Sequence, residues 1–194
     1  MGLRLLRKFK NLKESIIKTD RRDILLKQLP KSCICAEIGV YKGKFSERII
    51  ELTNPKKLIL VDAWDISVIR DNSDSHKSNT QYNFDLLYSH VYNKFKHKNI
   101  VEIIRKNSNE ALESFTDGYF DWIYIDTSHN YEDVLNDLEL SRLKCKKDGI
   151  IAGDDYVDAK GKWGTDVIRA VDDFAKKYRF HIESINDQFI IKLS

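Results

Sequence analysis

The octapeptide "GIIAGDDY" (149–156) places two adjacent carboxylates, Asp154 and Asp155, directly behind an apolar run. A second apolar run, "FDWIYID" (120–126), ends in Asp126, and His129 follows three residues later. Carboxylates carried to the end of a buried strand are costly unless something pairs with them. If the two runs are parallel neighbours, their axes lie about 4.8 Å apart, and the three aspartates stand on one edge. Unpaired, they would repel and raise one another's pKa values. A divalent cation resolves this, and an all-oxygen donor set suits Mg²⁺, with Mn²⁺ or Ca²⁺ as alternatives, better than Zn²⁺. For any single aspartate a helix cap or a lysine partner is the simpler role; three together favour the metal. His129, near a metal-bound hydroxyl, is poised as a general base around neutral pH. Its plainer role is a structural hydrogen bond at a helix start. His76, His90, His97 and His181 fall in a polar loop, on helices or on a late strand, and receive no role.

A further set of candidates follows the first apolar run. Gly39 and Gly43 in "EIGVYKGKFS" have a G-x-x-x-G spacing and lead into a helical pattern carrying Phe45 and Ile49. Glycine lets a backbone approach a ligand closely, although a tight turn alone would explain the pair. Asp62, about twenty residues on and at the end of the next apolar run, is placed to hydrogen-bond ribose hydroxyls; a turn cap is its simpler role. Glycine turn and acid together favour a nucleoside-bearing cofactor.

The elements that must position these groups are legible as an alternation. "CICAEIGV" (33–40), "KLILVDAW" (57–64), "NIVEIIRKN" (99–107), "FDWIYID" (120–126) and "GIIAGDD" (149–155) are short and nearly continuous in apolar content. Such runs suit parallel strands covered on both faces. Between them, Phe84, Leu87, Tyr88, Val91, Tyr92 and Phe95 recur at helical spacing, as do Val134, Leu135 and Leu138, and later Val167, Ala170, Val171, Phe174 and Tyr178. The middle helix is expected to end with Lys144, Lys146 and Lys147 in its last turn and Gly149 as its stop. The tail "FHIESINDQFIIKLS" reads as two strands about a turn at Asn186–Asp187. Five strand-then-helix units and a terminal hairpin give an α/β fold, an open doubly wound sheet. In such a sheet ligands bind at the carboxyl ends of the strands, where all the candidates above fall.

Bulk composition narrows the class. A chain of 194 residues is most simply one domain, and 42% hydrophobic with 32% charged residues is that of a soluble globular protein. A net charge of +3 does not argue for a nucleic-acid partner. No window has the apolar length of a membrane span, and no secretory signal is expected. Cys33, Cys35 and Cys145 lack the numbers for a metal site or a disulfide framework, so buried free thiols and a cytoplasmic location are expected. The segment "MGLRLLRKFKNLKE" could lie on a membrane surface, but a helix laid on the domain is favoured, since one short basic helix is a weak anchor. Residues 1–30 are thus read as an N-terminal helical extension and 31–194 as the domain.

The motifs together resemble those of class I S-adenosylmethionine-dependent methyltransferases, and within them the small metal-dependent O-methyltransferases of the catechol and macrolide-sugar types. "EIGVYKGKFS" is similar to the first family motif, "LVDAW" to the second, and "IDTSHNYEDVLNDLE" with "GIIAGDDY" to the metal-site motifs; "WGTDVIRAVDDFAKK" also resembles the sugar-type relatives. The resemblance runs from about residue 33 to the end and implies a mostly parallel seven-stranded Rossmann-like sheet. It implies that the methionine part of the cofactor lies against Glu37, Gly39, Tyr41 and Gly43, the ribose on Asp62, and the adenine edge at Ser108. Asp126, Asp154 and Asp155 would hold Mg²⁺. His129 falls where the catechol-type enzymes carry a lysine and the sugar-type relatives a histidine base, which points to an aliphatic or sugar hydroxyl as acceptor.

Three rivals stand beside this reading. A dinucleotide-dependent oxidoreductase would call for a G-x-G-x-x-G turn, which is absent. A non-catalytic adaptor would have no need of a carboxylate cluster. A metal-independent methyltransferase would grip an amine or sugar with the aspartates directly. Loops 65–81 and 156–165, with Trp163, suit a small hydrophilic acceptor, and a saccharide is expected on family analogy. Oligomeric state stays open, a homo-oligomer included.

Overall fold

The computed structural model describes residues 21–65, 81–157 and 165–194. The basic segment 1–14, nearly all of the polar connection 65–81, and Trp163 lie outside the described residues. In chain order the elements are α1 (Asp23–Leu26), β1 (Ile34–Ile38), α2 (Lys44–Thr53), β2 (Lys57–Asp62), α3 (Gln81–Phe95), β3 (Val101–Arg105) and α4 (Ser108–Glu113). They continue with β4 (Phe120–Ile125), α5 (Tyr131–Lys144), β5 (Cys145–Gly153), α6 (Asp166–Tyr178), β6 (Ile182–Ile185) and β7 (Gln188–Lys192).

The seven strands form one sheet in the order β3-β2-β1-β4-β5-β7-β6. β1 to β5 pair in parallel, while β7 runs antiparallel to both β5 and β6. This is the doubly wound sheet with a C-terminal hairpin that the alternation of apolar runs implies, and Asn186, with φ +55°, makes the hairpin turn.

Because successive strand residues face opposite sides, each buried strand feeds two cores. Ala36, Ile38, Ile59, Val61, Ile123, Ile125 and Ile151 pack on one face with Leu112 of α4, Leu138 of α5 and Phe174 of α6. Cys35, Leu58, Leu60, Trp122 and Tyr124 pack on the other with Phe45 and Ile49 of α2 and Val91 and Phe95 of α3. Leu25 and Leu26 of α1 and the following Leu29 are buried in this second core. Asp23, also buried, accepts a two-pronged bond from Arg48 of α2, Nε to Oδ1 at 2.9 Å and Nη2 to Oδ2 at 2.7 Å. Residues 21–29 are thereby fastened to the face of the sheet that carries α2 and α3.

One boundary differs from the sequence reading. α5 ends at Lys144, and Lys146 and Lys147 lie in β5 rather than in a last helical turn. Between the pairs Phe120↔Cys145 and Trp122↔Ile150 the register shifts, because β5 spends five residues where β4 spends two. The extra chain bulges outward with Lys146, Lys147 and Asp148 exposed, and Lys146 bonds Asp121 at 2.6 Å. Gly149 is no left-handed cap. A Cβ there would lie 2.9 Å from both Cys145 Cβ and Lys146 O, so it permits the tight return of the bulge.

Candidate active site

Strand register assembles the site. Ile38 pairs with Val61 and with Ile125, and Ile125 pairs with Gly153. The next residues, Gly39, Asp62, Asp126 and Asp154, therefore leave the sheet at one level. Backbone bonds extend the ladder by one step: Gly39 N to Val61 O at 2.8 Å, Asp126 N to Ile38 O at 2.8 Å, and Asp154 N to Ile125 O at 3.0 Å. The strand order reverses between β1 and β4, where an open α/β sheet forms its ligand crevice.

On the β1 side of this crevice the chain is a tight loop. Gly39 has φ +91°, and a Cβ on it would lie 1.8 Å from the carbonyl oxygen of Asp126, so only glycine lets the two strand ends approach this closely. Gly43 has φ +68° and precedes α2 against the Phe95 ring, which a Cβ would meet at 2.8 Å. Asp62 organises the loop: Oδ2 accepts from Val40 N at 2.9 Å and Tyr41 N at 2.8 Å, and Oδ1 accepts from Trp64 N at 2.8 Å. A carboxylate has about four acceptor sites, so Asp62 caps the turn and retains capacity for one further donor. Trp64 closes the other side, its indole Nε1 donating to Tyr41 O at 2.9 Å. Tyr41, with φ +50°, is exposed.

Glu37 points beneath this loop into the α2 core. It is 1% exposed and accepts a hydrogen bond from Ser46 Oγ. Burial pushes its carboxyl up to about 8, against the Ser46 bond, with Asp126 pushing further up and Arg22 pulling down. Ser108 starts α4 behind the Asn107 cap, whose side chain accepts from Glu110 N at 2.9 Å. Ser108 also hydrogen-bonds Asp137. Asp137 is a buried carboxylate of α5 that sequence reasoning missed. It accepts from Thr127 Oγ1 at 2.7 Å, and so ties the loop after β4 to the start of α4. Burial raises its carboxyl to about 6. Its only sequence signal was a polar residue on the inner face of a helical pattern.

On the β4–β5 side the three aspartates separate into two arrangements. Arg22 Nη1 lies 3.3 Å from Asp126 Oδ2 and 3.6 Å from Asp154 Oδ2, so two carboxylates share one guanidinium. Asp155, with φ +59°, turns away to His129, Oδ2 to Nε2 at 2.8 Å. Among the described residues no three His, Cys, Asp or Glu side chains form a metal-binding group. Burial and the neighbouring Asp154 and Asp155 raise the Asp126 carboxyl to about 7, with Arg22 and His129 opposing. Asp154 is raised as well, first by burial and then by Asp155. Its side chain is 9% exposed, and among the described residues its Oδ1 has no hydrogen-bond partner. Asp126, Asp154, Asp155 and His129 line a crevice of about 10 Å³ together with Thr127 and Ser128, which is room for one water-sized group. Two converging carboxylates and an orphaned buried oxygen fit a hard divalent cation that keeps its remaining waters, the usual habit of Mg²⁺.

The site is thus a seven-stranded doubly wound sheet with a glycine turn after β1, an acid closing β2 and a polar crevice at the point where strand order reverses. The chain belongs to the methyltransferase domain family, whose model matches residues 36–156. Curated proteins yield no match to the sequence. Among solved structures, spermidine synthase from Thermotoga maritima is similar with a TM-score of 0.56 at 15% identity, over 89% of this chain and 57% of that one. The chain thus spans little more than half the length of that relative. A candidate caffeoyl-CoA O-methyltransferase from Staphylococcus aureus gives 0.57 at 18% identity, over 99% of this chain and 92% of that one. Fibrillarin from Aeropyrum pernix, in complex with S-adenosyl-L-methionine, gives 0.58 at 11% identity, over 87% and 71%. At these identities the likeness is one of fold.

Proposed function

We propose that this methyltransferase transfers the methyl group of S-adenosylmethionine to a hydroxyl of a small hydrophilic acceptor, a sugar or glycosylated metabolite, with the help of a divalent cation. The observation that carries the reading is the convergence of Asp126 and Asp154 on a single cation position, with Asp154 Oδ1 buried and without a hydrogen-bond partner among the described residues. Asp126 and Asp154 would hold Mg²⁺ (or Mn²⁺ or Ca²⁺), joined by Asp155 when it leaves His129. The ion would supply Lewis acidity that lowers the pKa of the acceptor hydroxyl, and the sulfonium of the donor supplies an activated methyl group.

The chain's own groups do the rest. Gly39 and Gly43 would open the backbone to the donor, Asp62 would offer its remaining acceptor site to the ribose, and Tyr41 and Ser108 would lie against the methionine and adenine ends of the donor. His129 takes the proton of the acceptor hydroxyl at Nε2, the nitrogen that Asp155 Oδ2 holds at 2.8 Å until it turns to the ion. Holding donor and acceptor at one strand edge provides much of the remaining acceleration. Asp154→Ala is expected to abolish turnover while S-adenosylmethionine binds with near-parental affinity in calorimetry. Full activity in that variant and after exhaustive chelation would remove the metal from the reaction.

The Arg22 contact favours a second reading, in which the aspartates grip a cationic amine acceptor without a metal. A guanidinium already occupies the position such a nitrogen would take. Activity on amine acceptors that survives chelation would select it.

A further inference from the structure

We infer that Arg22 is an internal competitor for the cation position of the active site, so that a divalent ion binds Asp126 and Asp154 by displacing it. The inference rests on the metal-assisted reading above.

The guanidinium is the one cationic group that the described contacts place on both carboxylates, at 3.3 and 3.6 Å from Nη1. It is not a stray surface chain: its side chain is 20% exposed, and its Cζ lies 4.3 Å above the Phe45 ring. Phe45 packs in turn on Tyr124, with centroids 4.4 Å apart, directly below the strand ends that carry the aspartates. A cation desolvated on an aromatic face and shared by two carboxylates is held firmly enough to matter.

The neighbouring residues fix where this arginine can reach. On one side Asp23 is locked to Arg48 of α2. On the other, Arg21 pairs with Asp187, and its carbonyl accepts from Asn186 Nδ2 at 3.3 Å. The backbone at 21–23 is thus tied across the carboxyl edge from α2 to the β6–β7 turn, and only the Arg22 side chain need swing for the carboxylates to be released. A guanidinium cannot lose its charge in the working pH range, so a second cation on the same oxygens would repel it. Occupancy of the pair by Arg22 therefore divides the apparent affinity for a metal by the factor with which the closed arrangement is favoured.

The test compares the parent protein with Arg22→Gln and Arg22→Lys, using Mn²⁺ binding followed by electron paramagnetic resonance of the free ion. Arg22→Gln is expected to bind Mn²⁺ about ten-fold more tightly than the parent, and Arg22→Lys, which keeps the charge, to stay within a few fold of it. Added Mg²⁺ should shift the Arg22 Nε–H resonance of the parent, identified by its loss in Arg22→Gln. Unchanged or weaker Mn²⁺ binding in Arg22→Gln, with binding in the parent still abolished by Asp154→Asn, overturns the inference and leaves the metal site standing. Absence of Mn²⁺ binding in the parent and in both Arg22 variants overturns both together.

Discussion

Glu37→Gln should change how stability depends on pH, by an amount the structure sets. The Glu37 carboxyl is 1% exposed and is pushed up to about 8 by burial, against an ordinary value of 4.5. Below 4.5 both folded and unfolded chains carry the proton. Between 4.5 and 8 the unfolded chain releases it and the folded chain does not, so stability falls as pH rises through this window. Each unit is worth about 1.4 kcal/mol, so the two units between pH 6 and the folded value of about 8 remove roughly 2.7 kcal/mol by pH 9. For a domain of this size that is a fall in Tm of about 5–11 °C. Asp126, raised to about 7, adds a loss of the same sign, and it does so in the parent and in the variant alike. Glutamine keeps the volume and can still accept from Ser46, while it has no proton to release. Melting the parent and Glu37→Gln in parallel at pH 6 and pH 9 isolates the Glu37 contribution as the difference between the two slopes. Equal slopes would mean that Glu37 ionises freely in the folded chain, and the account of a neutral carboxyl beneath the glycine loop would fall.

Two further outcomes are expected. Gly39→Ala forces a Cβ into the carbonyl oxygen of Asp126 at φ +91°; it should cost at least about 2 kcal/mol of stability and abolish S-adenosylmethionine binding, and a normal melt with normal calorimetric affinity would refute the close approach. His129→Ala should lower kcat by roughly 10²-fold or more with partial recovery as pH rises, because hydroxide can replace a lost base; a parental rate across the pH range would remove His129 from proton transfer.

The amino-acid sequence alone determined the architecture, because buried parallel strands must be apolar on both faces and the helices between them on one. "KLILVD" and "FDWIYI" could only be such strands. The same logic pointed to a candidate edge: Gly39 and the acidic residues at the ends of those runs, Asp62, Asp126, Asp154 and Asp155, leave the sheet on one side once it is parallel. The glycines were legible because only a residue without a Cβ fits where Gly39 meets the Asp126 carbonyl and Gly43 meets the Phe95 ring. Groups that meet through space rather than through local pattern were not. The bulge at 145–149 followed from a register between β4 and β5, and the runs themselves carry no information about offset. Asp62 could cap a turn or bind a ribose from sequence, and the fold shows three backbone amides already on it. Arg22 lies 104 residues from Asp126 in the chain, within a run of charges that reads as solvated surface. Only the docking of Asp23 on Arg48 and of Arg21 on Asp187 carries it across the strand ends. Whether the three aspartates act as one cluster was likewise a tertiary matter: sequence put them on one edge, and the positive φ of Asp155 turned one of them to His129, leaving the other two to a shared cation.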